Sequence, residues 1–124
     1  MAKILVIDDA QSIRAKIRYF LEDETGHEVI EATDGANGLD ILKEDSSFDL
    51  IICDVNMPIM DGYTLIQKVR EMEQYTDIPI VIVTTEKEAS DKEKGFAVGA
   101  DIYLVKPVQK EELQEKLQML LEDN

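Results

Sequence analysis

Three acidic positions stand where apolar runs end. Asp8 and Asp9 close Ile4-Leu5-Val6-Ile7, and Asp54 closes Leu50-Ile51-Ile52-Cys53. In an open parallel α/β sheet, ligands bind outside the carboxyl ends of the strands, where the connections diverge, so these three carboxylates are candidates for one crevice. Clustered carboxylates are the oxygen-rich environment that a hard divalent cation selects. Two unit charges about 4 Å apart repel by roughly 4 kcal/mol at an effective dielectric of about 20, so such a cluster needs a cation, a proton or both. Lys106, before Pro107, supplies one positive charge and can relieve part of that repulsion.

The elements that would position these groups are legible as an alternation of short β-rich runs with stretches of helical period, the pattern of βαβ units. Five strands are expected at residues 3–8, 28–32, 49–54, 80–84 and 101–105. The first, third and fourth are apolar on both faces, as buried parallel strands are; the second and fifth read as edges. Helical stripes run through Ile13, Ile17, Phe20 and Leu21, through Leu65, Ile66 and Val69, and through Leu113, Leu117, Leu120 and Leu121. Ser12 and Asp34 are expected as helix caps, and Gly26 and Gly99 as left-handed helix ends. With 124 residues, 44% of them hydrophobic, the chain fits one domain. The last helix is expected to end at Glu122-Asp123-Asn124, with no output domain after it.

Composition excludes several classes. With 27 acidic and 13 basic residues the net charge is −14, which repels nucleic acid and anionic membranes. No stretch approaches the ~20 apolar residues that span a bilayer, and no leader-like segment follows Met1, so a cytoplasmic protein is expected. A single cysteine, Cys53, can form neither an internal disulfide nor a thiolate cage. Cys53, Met57 and Met60 read as packing residues, and His27 has no partner motif.

Asp8-Asp9 after the first strand, Asp54 followed by Asn56, Met57, Pro58 and Asp61-Gly62, Thr84 ending the fourth strand and Lys106-Pro107 after the fifth together resemble the receiver domain of two-component response regulators. The likeness spans essentially the whole chain, and the single-domain chemotaxis-type members are nearest to it. The resemblance implies a flavodoxin-like (βα)5 doubly wound open parallel sheet in the order 2-1-3-4-5. It also implies that Asp54 accepts a phosphoryl group from a sensor histidine kinase, with Mg²⁺ held by Asp8, Asp9, Asp54 and the backbone carbonyl of Asn56. Lys106 and Thr84 would contact the phosphoryl oxygens, and a cis Lys106–Pro107 bond would aim the lysine inward. Thr84 and Tyr103 would form a switch altering the face made by the fourth helix, fifth strand and fifth helix, near Lys92, Tyr103 and Lys110. A protein target such as a flagellar motor switch component would dock there, and the chain would be a monomer.

Asn56 and Glu86, two residues beyond Asp54 and Thr84, match the chemotaxis-type combination that tunes dephosphorylation. Thr85 and Val108 depart from the family, being larger and smaller respectively than the residues usual there. An aspartate-nucleophile phosphohydrolase is disfavoured because its acids resemble Asp-x-Asp under a cap, whereas Asp8 and Asp9 are adjacent. A flavodoxin-like cofactor binder is disfavoured because Asp8-Asp9 would repel a phosphate. A phosphorelay intermediate and a receiver-like binding module that is not phosphorylated remain as rivals.

Overall fold

The computed structural model describes residues 1–23 and 25–122. Five strands, β1 (Lys3–Ile7), β2 (Glu28–Ala32), β3 (Leu50–Cys53), β4 (Ile80–Thr84) and β5 (Ile102–Val105), alternate with five helices, α1 (Gln11–Glu22), α2 (Gly35–Glu44), α3 (Gly62–Arg70), α4 (Ala89–Val98) and α5 (Lys110–Glu122). All strand pairs are parallel, in the order β2-β1-β3-β4-β5. This is the doubly wound order that the resemblance to receiver domains implies, with β2 and β5 at the edges. Asp8, Asp49, Asp54 and Asp101, read from sequence as strand residues, lie one position outside the paired segments. Asp123 and Asn124, where the last helix was expected to end, lie outside the described residues.

Alternation along the strands divides the core into two layers. Ile4, Val6, Ile52, Val81 and Val83 face α1 and α5, where Ile17, Leu21, Leu113 and Leu117 close the layer. Leu5, Ile7, Ile51, Cys53, Ile80 and Ile82 face the other way, against Leu39 and Leu42 of α2 and Leu65, Ile66 and Val69 of α3. Because both faces are covered, the three central strands have no solvent side, which explains their unbroken apolar runs. No helix among the described residues is long and apolar enough to cross a membrane.

Several local expectations hold. Asp34 caps α2 by accepting from the Asn37 amide, and Gly99 ends α4 at φ 121°. Two need correction. Ser12 is not a cap: α1 starts at Gln11, and its N-cap Ala10 has no capping side chain. The Asp8 carboxylate instead takes the Ala10 amide, so the helix begins directly behind the acid pair. Gly26 has the expected left-handed φ of 72° and its amide donates to the Glu22 carbonyl at 3.4 Å, but the C-cap of α1 is Asp23, three residues earlier.

Gly62 opens α3 beneath the Asp54 loop and donates its amide to the Val55 carbonyl at 2.8 Å. A Cβ there would overlap the carbonyl oxygen of Asp54 and lie 3.0 Å from Val55 Cα. Gly62→Ala must push the acceptor loop off the helix, and overpacking of this kind costs about 1–3 kcal/mol. Urea denaturation should show a lower midpoint for Gly62→Ala at unchanged slope; an unchanged midpoint would contradict this packing.

Candidate active site

Parallel pairing carries the ends of β1, β3, β4 and β5 to one edge of the sheet. Asp8 and Asp9 follow β1, Asp54 follows β3, Thr84 ends β4 and Lys106 follows β5. Asp8, Asp54 and Thr84 are buried, whereas Asp9 is exposed. One carboxylate oxygen from each of Asp8, Asp9 and Asp54 lies within 4.8 Å of the others. Lys106 Nζ donates to Asp54 Oδ2 at 2.9 Å and to Asp8 Oδ2 at 3.0 Å, and only 14% of its side chain is exposed. The Lys106–Pro107 peptide is cis.

These contacts set the charge balance. Burial pushes the Asp8 carboxyl above its ordinary range; the Ala10 amide and Lys106 offset part of this, and the Asp54 charge adds to it. Burial pulls the Lys106 ammonium down, but the hydrogen bonds and charges of Asp54 and Asp8 outweigh it and raise its pKa. One lysine against three acids leaves the cluster net negative. Two buried acids with an oxygen each on Lys106, beside an exposed third, fit a hard divalent cation such as Mg²⁺ approaching from the solvent side.

Glu86 joins the groups at the rim. Its amide donates to Thr84 Oγ1 at 3.3 Å, its carbonyl accepts from the Tyr103 hydroxyl at 2.8 Å, and its carboxylate accepts from the Asn56 side-chain amide. Asn56 and Glu86 therefore bridge the loops after β3 and β4. Tyr103 is buried, its ring 6.4 Å from that of Phe96 and packed on Gly95. Expected to turn inward after Thr84 moves, Tyr103 is already turned inward in this structure.

The comparisons agree with this arrangement. The family model for the response regulator receiver domain matches residues 4–118. The chain belongs to that family. A chemotaxis protein CheY homologue of Campylobacter jejuni is 36% identical over 119 residues, 96% of this chain and 92% of the relative. Among solved structures, chemotaxis protein CheY4 of Vibrio cholerae is 44% identical with a TM-score of 0.91, covering 98% of this chain and 99% of that one. The receiver domain of a Pseudomonas aeruginosa sensor histidine kinase, 27% identical with a TM-score of 0.89 and 98% coverage of both chains, was solved with a magnesium ion coordinated in its active site cleft.

The receiver's other singled-out residues take packing roles. Cys53 is buried, and burial with the nearby Asp54 and Asp8 charges pushes its thiol up to about 12. His27 accepts the Ala2 amide at 3.0 Å at the opposite end of the sheet. Val108 is buried and, with Ile13, Ile17, Phe20 and Val83, lines an apolar groove of about 320 Å³ beside the site. Sequence reading missed Arg14, whose guanidinium donates to the Asp8 carbonyl at 2.6 Å. An arginine five residues beyond the acid pair is the only signal for it in the sequence.

The raised Asp8 pKa has a direct consequence for stability. A carboxyl whose pKa is higher folded than unfolded binds more protons in the folded state, so stability falls as pH rises from its ordinary value of 3.8 through the folded one. Asp8→Asn removes that penalty. In the absence of divalent cations, chemical denaturation should find Asp8→Asn more stable than wild type at neutral pH, with the difference shrinking below about pH 4. A variant less stable at neutral pH would contradict the charge balance described.

Proposed function

We propose that the chain is a single-domain response regulator, residues 1–124, that accepts a phosphoryl group on Asp54 in a Mg²⁺-dependent reaction and thereby changes which protein it binds. The observation that carries this reading is the convergence of Asp54, Asp8, Asp9 and Lys106 at one sheet edge, with Lys106 bonded to both buried acids.

Phosphoryl transfer asks the protein mainly to position the reactants and balance charge. Asp54 is the nucleophile: one carboxylate oxygen bonds to phosphorus as the bond from phosphorus to the donor's leaving group breaks, giving an aspartyl phosphate. An anionic donor approaching an anionic carboxylate meets repulsion, which Lys106 reduces because its ammonium already lies against Asp54. Asp8, Asp9, Asp54 and the Asn56 backbone carbonyl would hold Mg²⁺, which when bound neutralises charge on the phosphoryl oxygens. The buried Thr84 hydroxyl, at the end of β4, would donate to those oxygens once the group is attached.

That last step connects chemistry to binding. Thr84 Oγ1 now accepts from the Glu86 amide, and Tyr103 donates to the carbonyl of the same residue. Drawing Thr84 toward a phosphoryl group would release the Glu86 loop on one side while Tyr103 holds it on the other. Because Tyr103 already lies inward, phosphorylation acts as a population shift that secures this arrangement rather than creating it. The face of α4, β5 and α5, near Lys92, Tyr103 and Lys110, would present the outcome to a partner. The likeness to the chemotaxis proteins of Campylobacter jejuni and Vibrio cholerae supports a role in motility signalling; in this reading the chain is a cytoplasmic monomer, with a sensor histidine kinase as donor and a flagellar motor switch component as target. The Asn56–Glu86 bridge between the loops that follow β3 and β4 supports a part for both residues in controlling how water reaches the aspartyl phosphate.

Intact-mass analysis after brief incubation with acetyl phosphate and Mg²⁺ tests the reading. Wild type should gain one phosphoryl group only with Mg²⁺, Asp54→Asn should gain none, and Lys106→Ala should react about 100-fold more slowly. A folded wild type that gains nothing, beside a donor active on another receiver, would favour a binding module that works without phosphorylation.

A further inference from the structure

The two acids that follow β1 are held very differently. Asp8 is fixed at every polar group: its amide donates to the Ala32 carbonyl, its carboxylate takes the Ala10 amide and Lys106, and its carbonyl takes Arg14 Nη1. The exposed carboxylate of Asp9 takes no hydrogen bond from a described residue. Its place in the cluster is therefore inherited from the backbone, and the peptide that delivers it is the one whose carbonyl Arg14 holds at 2.6 Å.

Arg14 is itself clamped. Its Nε lies 2.9 Å from Glu31 Oε1 on β2, and only 12% of the arginine side chain is exposed. Arg18 Nε takes the other Glu31 oxygen at 2.8 Å, while Arg18 Nη1 reaches Glu22 at 3.1 Å. A planar guanidinium can serve two acceptors in a fixed fork, which a compact ammonium cannot reproduce. Glu31 also offsets the arginine's charge, so that a cation placed just behind the acids does not simply repel another.

We propose that Arg14, braced by Glu31, is a positioning residue that fixes the Asp8–Asp9 peptide and so holds the Asp9 carboxylate in place for a divalent cation. The proposal deepens the Mg²⁺-dependent reading of the site and rests on it. Groups that orient a metal ligand from behind typically change metal affinity ~10–100-fold when removed. Charge alone makes the opposite forecast: deleting Arg14 leaves the region one unit more negative and would tighten the binding of a dication.

Isothermal titration of Mg²⁺ into metal-free protein separates the two. Wild type is compared with Arg14→Gln, Arg14→Lys and Arg18→Gln, each also melted without metal. The dissociation constant should rise about 10-fold in Arg14→Gln, and it should rise in Arg14→Lys although the charge is kept. Arg18→Gln, which loses a bond to the same Glu31 but none to Asp8 and whose side chain is 38% exposed, should bind as wild type does and melt closer to wild type than Arg14→Gln. If Arg14→Gln does not melt cooperatively, Arg14→Lys carries the comparison. Equal or tighter binding in the Arg14 variants, or equal weakening in Arg18→Gln, would overturn the proposal. A wild type that binds no Mg²⁺ would bring down the reading of the site itself, before any question about Arg14 arises.

Discussion

The repulsion among three carboxylates at one edge of the sheet is the constraint on which the other features of the site depend. Asp8, Asp9 and Asp54 bring oxygens within 4.8 Å of one another, two of the three acids are buried, and one lysine touches both buried ones. Each like-charge contact at that range is unfavourable by a few kcal/mol at an effective dielectric of about 20. The arrangement persists because the rest of the fold is well packed on both faces of the sheet. Stability supplied by those two apolar layers holds an unfavourable cluster open to an incoming cation and an incoming phosphoryl group.

The loops at this edge transmit the strain in charge to the surface. Lys106 ties β5 to β1 and β3, and Glu86 ties β4 to the Asn56 loop and to Tyr103. A change of charge at Asp54 therefore acts on groups already bonded to the neighbouring strands, and it needs no long path to reach β5. Gly62 and Gly95 let this be compact: the first admits the Asp54 loop against α3, and the second admits Tyr103 and Ile82 against α4.

Much of this was legible in the sequence for physical reasons. Strands β1, β3 and β4 are buried on both sides and so lack polar alternation, and the carboxylates that end β1 and β3 had to share an edge once the sheet was parallel. Helices α1, α3 and α5 showed their stripes. Helix α4 did not, because among its residues only Gly95 is buried, and α2 packs partly through Gly35 and Gly38, which add nothing to a hydrophobic pattern. Ser12 was misplaced as a cap because α1 starts earlier, at Gln11, with Ala10 as its N-cap and the Ala10 amide held by the Asp8 carboxylate. Arg14 and the inward setting of Tyr103 were not legible, since each depends on how an element is rotated against its neighbour: α1 against β2 for the arginine, and β5 against α4 for the tyrosine.

The relation between charge cluster and fold is tested most directly by melting the metal-free wild type across a series of Mg²⁺ concentrations beside an Asp9→Asn/Asp54→Asn variant. A cation that binds only the folded cluster should raise wild-type stability steadily, by about 2.7 kcal/mol when free Mg²⁺ reaches roughly 100 times its dissociation constant, and should leave the variant almost unmoved. A wild type indifferent to Mg²⁺, or a variant stabilised as much as wild type, would mean that these carboxylates do not form the cation site on which the mechanism rests.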